Sequence, residues 1–599
     1  MGNDTTIDAA DTPGPTGYSV TAEAHCALQA LVSACMSELP RELDRYIDKV
    51  TFSSTSNAGG KPCFPCPLKE QEAGCALKAL EGCLVGAIVD LRYGGRQAQA
   101  QGRKIEVDPA KVTCFLMSAY ITTLDGMGKT HPKIKYRLPD TDLNQAQSNL
   151  YRRLSANLYE TCNTGQYYHI HGSLEASTTL RMIGLPPFLA GSNDYRQCVT
   201  VIENAVNRLS IADLELRNQK YRQAGAPALT KDQFRRTAHG QALAGIAPFT
   251  VQSLDAPSPP IPFPDITDPQ HAASSSGITQ CLAGIRVLEL CRVIAGPTIG
   301  RSLAAHGASV LKVTSAKLPD VPFFQLDVNT GKHATSLHLK DPRDRATFEG
   351  LLATADVIID GYRPGVLASL GYSPESLATK AQERGRGIVY VAEDCFGGSG
   401  VPGAAWSHRP GWQQIADCAT GVAWEQGWFM GLEEPVVPPF PVSDYATGIL
   451  GTIAALAALH RRAVSGGSWI ARTSLAQYDL FLLHALGPYP PEVQEHLWDA
   501  HDRDFFELRH SDSVDEVSAR ALRSMKRLYP ELFRDDMLHK AFSLGFGGEV
   551  AWPKEPLRVA GVTIGHVRPT RPNGYDAPSW DGWEKDESML ERVDSVSLL

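Results

Sequence analysis

Between residues 284 and 397 the chain alternates short apolar runs with helix-periodic stretches, and no other feature narrows its fold as much. "GIRVLEL" (284–290) reads as a buried strand. "GPTIGRSLAAHG" (296–307) follows with helical spacing and a glycine stop, and "ASVLKV" (308–313) is a second strand. "ADVIIDGY" (355–362) and "GIVYVAEDCFG" (387–397) repeat the strand pattern, with helical stretches between. Parallel strands need long crossovers, which helices supply, so this order predicts an α/β lobe: a Rossmann-like parallel sheet flanked by helices. The first strand-turn-helix unit lacks the GxGxxG spacing that lets backbone approach a dinucleotide pyrophosphate, so NAD is not expected.

A chain of 599 residues exceeds what one hydrophobic core holds. Residues 1–20 are polar and proline-containing and read as a disordered tail. Residues 21–250 are more helical and read as a smaller α+β domain, and 251–279 is a Pro/Ser-rich linker without periodicity. Residues 280–490 form the α/β lobe, and 491–599 read as a helical extension with a polar tail. An internal repeat is suggested: "ALKALEGCLVGAIVDLRYGG" (76–95) and "ATGILGTIAALAALHRRAVS" (446–465) both lead through a turn to a strand and a helix. The first copy carries Cys75 or a neighbour where the second carries Asp444.

Charge and motifs exclude several classes. The 57 basic and 66 acidic residues leave a formal charge of −9, and no basic stripe points to nucleic acid. The N-terminus has no apolar core of a signal peptide. The longest apolar stretch, Ile449 to Leu459, is interrupted by Gly451 and Thr452 and falls short of the ~20 residues a bilayer span needs, so no membrane is expected. Thirteen scattered cysteines read as reduced thiols of a cytoplasmic protein. "CFPC" (63–66) with Cys75 and Cys83 lacks a second CxxC, and "HIH" (169–171) lacks a third ligand, so no metal is expected.

One carboxylate stands out. In "PPFPVSDYATGILGTIAALAALHRR" (438–462), Asp444 sits where a proline-packed loop becomes a long apolar helix. From the residues alone it is either a helix N-cap, holding about 1 kcal/mol, or a reactive carboxylate kept ionised by the helix N-terminus.

The segments quoted above, with "NTGKHATSLHLK" (329–340), "FGGSG" (396–400), "RPGWQQIADCATG" (409–421) and "SDYATGILGTIAALAALHRR" (443–462), occur in one order. Over roughly 280–485 this series resembles the family III CoA-transferases, the CaiB/BaiF family, which also holds formyl-CoA transferases and α-methylacyl-CoA racemases. Blocks at 164–186 and 209–243 resemble the portion that normally follows the catalytic lobe, so the family blocks stand here in inverted or tandem order. The resemblance implies a CaiB/BaiF-like interlocked architecture, a homodimer, coenzyme A as acyl carrier, and an acyl-CoA plus a small carboxylic acid as substrates. It implies Asp444 as the nucleophile, forming an aspartyl-acyl anhydride, with Gly397 and Gly398 offering backbone N–H groups to the oxyanion. It places Val293 and Ala295 along the CoA channel, Tyr362 against the adenine, and Arg292, Lys317, Lys332 and Arg363 near the phosphates. The racemases carry a His-Asp pair where this chain has Trp412 and Gln413, neither of which is a base. Transfer is therefore expected over racemisation or epimerisation of 2-methylacyl-CoA. The family's glutamate after "VLKV" is Thr314, and its glycine-rich covering loop has no counterpart, which keeps an inactive CoA-binding or scaffolding protein as an alternative.

Overall fold

The computed structural model describes residues 17–54, 56–94, 101–191, 194–264 and 280–583. Of the expected N-terminal tail, residues 1–16 lie outside the described residues. Tyr18 is buried and donates a hydrogen bond to Glu72, and helix α1 (Val20–Cys35) begins two residues later.

The upstream half carries six short strands: β1 (Val50–Phe52), β2 (Ile105–Val107), β3 (Thr123–Leu124), β4 (Ala156–Glu160), β5 (Tyr167–His171) and β6 (Ala224–Pro227). Its longest helix is α2 (Glu70–Tyr93), and α3 (Pro109–Leu116) follows β2. Strands β4, β5 and β6 pair antiparallel, and β4 and β5 share an apolar core with helices Tyr195–Val206 and Ile211–Tyr221.

The downstream half is organised by one sheet of β7 (Phe249–Leu254), β8 (Arg286–Leu290), β9 (Ser309–Thr314), β10 (His333–Ser336), β11 (Val357–Asp360), β12 (Val389–Asp394) and β13 (Ser468–Ser474). Its order is β10-β9-β8-β11-β12-β13-β7, parallel throughout except for β7, which runs antiparallel on the edge. Counted from β8 this is the doubly wound order 3-2-1-4-5-6. Successive residues feed opposite faces: Val287, Val357 and Ile359 enter one core, while Leu288 and Ile358 enter the other. Burial on both faces explains why these strands read as continuous apolar runs. The winding reverses between β8 and β11, so their outgoing loops diverge and leave a crevice at the strand C-termini, bordered by residues 292–295 and 361–364.

Three helices line that crevice or support it: α4 (Ala295–Ala305), α5 (Gln413–Thr420) and α6 (Val442–Ser465). A methyl group on Gly448 would lie 2.5 Å from Thr298 Cβ, and one on Gly451 would lie 2.4 Å from Ile299 Cδ1. Only glycine therefore lets α4 and α6 approach this closely. At its far end Arg462 donates to Asp356 at 2.9 Å in a buried ion pair, which anchors α6 beneath the sheet. Among the described residues α6 is the one helix long and apolar enough to cross a bilayer, longer than the uninterrupted apolar run suggested, and 94% of its apolar window is buried inside the protein.

Two compositional boundaries are cut across by pairing. Residues 251–254 of the expected linker belong to strand β7, and 265–279 lie outside the described residues. The region 491–599 is helical only in part. Past helix Val514–Leu528 it forms β14 (Leu538–Ser543), β15 (Gly548–Pro553) and β16 (Leu557–Val559). β15 pairs with β3, and β16 pairs with β2, so the C-terminal strands complete small sheets begun in the upstream half. The sequence shows only a strand-like segment at 558–567, which overlaps β16; β14 is half exposed without a clean alternation, and β15 is mostly buried. The suggested repeat matches in element order: α2-β2-α3 against α6-β13-α7 (Leu475–Leu480), with 24 residues in each long helix and the two helices packed together.

Candidate active site

Asp444 stands at the meeting of two cavities. The larger, of about 430 Å³, occupies the sheet crevice and is lined by Arg292, Val293, Ala295, Tyr362, Arg363 and Asp444. The smaller, of about 60 Å³, touches Asp444 together with Lys129, Arg153, His171 and Trp412. These residues come from both halves of the chain, so the site exists only once the halves have packed.

Asp444 is not the helix cap. Pro441 holds the N-cap position of α6, and Asp444 is the third helical residue. Its backbone N–H donates to Gln413 Oε1 at 3.1 Å, while Gln413 Nε2 donates to Phe440 O and Asp417 Oδ2, each at 3.1 Å. Gln413, which the sequence marked only as a lost base, thus orients the head of the helix. The next residue is pinned the other way: Tyr445 donates to Asp327 Oδ2 at 2.5 Å and accepts from the Ala119 N–H at 2.8 Å. Arg301 closes that network on Asp327 at 2.6 Å. With Tyr445 locked into the core, the carboxylate one residue earlier faces the cavities. The backbone is strained on both sides: Phe440 has φ 64° and the β-branched Val293 has φ 71°. Such a conformation costs of order 1–3 kcal/mol and is held only by surrounding structure.

Electrostatics oppose the ionised state that the helix N-terminus alone would favour. Burial, and then the neighbouring Asp479, push Asp444 up to about 7. Asp479 is itself pushed up to about 7 by burial, and burial also raises Asp417. Ser443 joins this pair, with Oγ 3.2 Å from Asp417 Oδ1 and 3.0 Å from Asp479 Oδ1. At neutral pH the Asp444 carboxyl therefore sits near half-ionisation, more basic than a surface aspartate and correspondingly a better nucleophile.

The residues expected to handle coenzyme A divide. The Arg292 guanidinium lies 5.3 Å over the Tyr362 ring and donates to Pro319 O at 2.8 Å. Arg363 is exposed at the mouth and donates to Arg222 O at 3.0 Å. Lys317 is exposed next to Leu318, which lines the larger cavity. Lys332 belongs elsewhere. It is fully buried, with Nζ 2.5 Å from Glu289 Oε2 and 2.6 Å from Pro297 O, and burial lowers its ammonium to about 8. It ties the start of β10 to β8 and reaches no phosphate. Gly397 and Gly398 also leave the site. Both adopt left-handed φ values, 70° and 74°, and neither borders either of these two cavities. The Gly397 N–H donates to Asp394 Oδ1 at 2.5 Å, as an ordinary strand-exit turn would.

Sequence reasoning missed several lining groups. His171 stacks on Trp412 at 4.9 Å with planes 8° apart, and Trp412 Nε1 donates to Ser173 Oγ at 2.9 Å. Burial lowers the basicity of both His169 and His171, so His171 meets the cavity as a neutral ring. The "HIH" pattern signalled paired imidazoles, but nothing local indicated the tryptophan opposite. Glu393 and Asp394, at the end of β12, also line the larger cavity. Among the described residues no group of three or more His, Cys, Asp or Glu is arranged to hold a metal. Cys63 and Cys66 instead turn their thiols to the carbonyls of Ala58 and Leu68, each at 3.5 Å.

A doubly wound sheet binds its ligands in the crevice at the switch point, here the cavity that Asp444 lines, and comparison with known proteins supplies the class. Residues 282–493 match the family model of CoA-transferase family III. The chain is 33% identical over 583 residues to an acetyl-coenzyme A transferase of Hypoxylon pulicicidum, covering 92% of this chain and 91% of that protein. It is 30% identical over 496 residues to an acyl-CoA transferase of Gibberella moniliformis, covering 79% and 83% of the two chains. A formyl-CoA:oxalate CoA-transferase of Rhodopseudomonas palustris is 29% identical over 202 residues, 32% of this chain and 45% of that one. The chain belongs to CoA-transferase family III, and its enzymatic class is that of a CoA-transferase.

Proposed function

We propose that the protein moves coenzyme A from an acyl-CoA thioester to a small carboxylic acid through an anhydride on Asp444. The observation that carries this reading is the position of Asp444, shared by both cavities. An ionised Asp444 oxygen attacks the thioester carbonyl carbon, the C–S bond breaks, and the electron pair leaves with sulfur as the CoA thiolate. A mixed anhydride remains on the enzyme. The acceptor carboxylate then attacks the Asp444 carbonyl carbon of this anhydride, and the C–O bond to the donor breaks, so that the donor acid leaves as its carboxylate and the acceptor takes its place. The CoA thiolate attacks the acyl carbon of the acceptor in the new anhydride, which forms the new thioester and releases the Asp444 carboxylate. Splitting the exchange this way replaces one difficult step by several easier ones.

In this reading the larger cavity admits the thioester end of coenzyme A past Tyr362 and the two arginines at its mouth. The smaller cavity receives the acyl group or the acceptor acid. Its size suits an acid of few carbons, and its cations suit a carboxylate: Lys129 and Arg153 share a single counter-ion, Asp515, at 2.5 and 3.1 Å. Similarity to proteins named for acetyl and formyl transfer agrees with a short acyl chain.

Incubation with acetyl-CoA followed by hydroxylamine trapping and peptide mass mapping tests the mechanism. A hydroxamate on Asp444 that depends on the thioester is expected, and a modification confined to any other residue overturns the assignment.

A second reading, epimerisation of a 2-methylacyl-CoA, is favoured by one observation: the neutral His171 ring and Asp444 line the same small cavity, which supplies two proton acceptors despite the loss of the His-Asp pair. Deuterium wash-in at the α-carbon without thioester exchange decides for it.

A further inference from the structure

Displacement of Gly397 and Gly398 from the cavity leaves the proposed acyl transfer without the hydrogen-bond donors expected for its oxyanion. One side chain in the larger cavity is placed to take that role. Glu393 ends strand β12 and lines the cavity together with Asp444. Its carboxyl group rests against bare backbone: a methyl on Gly296, in the first turn of α4, would lie 3.4 Å from Glu393 Oε2, and one on Gly361, just past β11, would lie 3.2 Å away. Both glycines sit at the switch point, so the acid head is held over the crevice by the two diverging loops. No hydrogen bond or ion pair within the protein engages this carboxyl group among the described residues, whereas its neighbours are engaged: Asp394 accepts from Gly397, and Asp360 accepts from Tyr390 at 2.6 Å.

We infer that Glu393 is a catalytic residue that, as a neutral carboxylic acid, donates a hydrogen bond to the acyl oxygen while Asp444 attacks the thioester. The inference rests on the anhydride reading above and adds a second functional group to it. Glu393 keeps its proton throughout: the hydrogen bond shortens as negative charge grows on the acyl oxygen and relaxes when the C–S bond breaks and the thiolate carries the electron pair away. The surroundings maintain the neutral form. Burial, then Asp394, Asp444 and Asp360, hold the carboxyl well above the usual range. The thiols of Cys291 and Cys395 lie near it and are themselves held protonated by burial. Cations do line the cavity, but Arg409 is paired bidentately with Glu215, at 2.8 and 3.0 Å, Arg292 is stacked on Tyr362, and Arg363 stands exposed at the mouth and donates to Arg222 O. When two carboxyl groups face one cavity they share a proton over a window of pH. Asp444 working as the anion and Glu393 as the acid is the division that acyl transfer needs, because the attacking group must be charged and the donor must not be.

The rate of Asp444 acylation by acetyl-CoA, read by hydroxylamine trapping across pH, tests this in wild type, Glu393→Gln and Glu393→Leu. Glu393→Leu removes the donor and is expected to slow acylation by about 10²–10³-fold. Glu393→Gln keeps an N–H donor of similar shape and is expected to stay within about tenfold of wild type. The wild-type rate falls at alkaline pH as Glu393 ionises, and that limb is expected to vanish in Glu393→Gln. Wild-type rates in the leucine variant, a glutamine variant as slow as the leucine one, or an alkaline limb that survives Glu393→Gln would each overturn the inference. If Glu393→Leu does not fold, the pH profile of Glu393→Gln decides alone. Absence of any Asp444 label in the wild type would instead remove the anhydride itself.

Discussion

The heads of α2 and α6 show how one helical unit can be sealed in one copy and open in the other. Both helices run 24 residues, pack against each other and lead to a strand and a short helix. In the register of the sequence repeat, Asp444 corresponds to Gly74. A methyl on Gly74 would lie 2.7 Å from Val112 Cγ1 and 2.9 Å from Leu116 Cδ1, so that position is packed solid by α3. The acids in the first turn of α2 are also enclosed: Glu72 accepts from Tyr18 at 2.9 Å and from Tyr489 at 3.0 Å. At α6 the matching space is two cavities. The difference lies in what covers the helix N-terminus, since both heads carry carboxyl groups whose protonated form is favoured, Glu70 up to about 8 and Glu72 up to about 7 against about 7 for Asp444. A raised carboxyl alone does not make a site; access to it does.

The largest effect expected on this contrast comes from Asp444→Asn, which preserves shape and removes the nucleophile. Turnover in a thioester-exchange assay should fall on the order of 10⁴-fold, with the circular dichroism spectrum unchanged. Moving the aspartate to the sealed head should fail: Gly74→Asp places a carboxyl in a packed, dry position and is expected to cost about 3–5 kcal/mol, read by urea unfolding, without adding activity.

Titration compares the heads directly. Glu70, Glu72, Asp444 and Asp479 all hold protons in the fold that the unfolded chain has already released. At these four groups the unfolded state binds fewer protons between the ordinary carboxylate range and about pH 8, so their contribution to stability falls as pH rises through that window. Asp444→Asn should remove one of the four contributions, so its melting temperature should gain on that of the wild type as pH rises. Turnover moves the opposite way below about pH 7, rising roughly tenfold per unit as Asp444 ionises.

Smaller effects are expected at the mouth of the open head. Arg363→Ala should raise the KM for acetyl-CoA by about tenfold with kcat unchanged, as loss of one charge-assisted contact would. Lys317→Ala, at an exposed lysine beside the rim, should change KM by about twofold or less.

Much of the α/β lobe is legible because strands buried on both faces appear as apolar runs, and four of them read so in the sequence. Asp444 was legible as a reactive candidate, although its cap reading failed because Pro441, three residues earlier, starts the helix. Lys332 and Gly397 were misread for a shared reason: a basic residue or a glycine in a matching segment shows its chemistry but not its partner, and Glu289 and Asp394 claim them. Glu393 was hidden because one acid at the end of a strand looks like any other exit residue until Gly296 and Gly361 are seen beneath it.

The chain by itself determined the winding of the sheet, the long apolar helix and the family, because periodic burial and block order are written along one dimension. Tertiary structure alone decided which helix head is open, which cation lines the cavity, and that β2 and β3 each gain a partner strand more than 400 residues away. Local pattern records whether a residue is buried. What it is buried against depends on contacts between segments that carry no mark of one another.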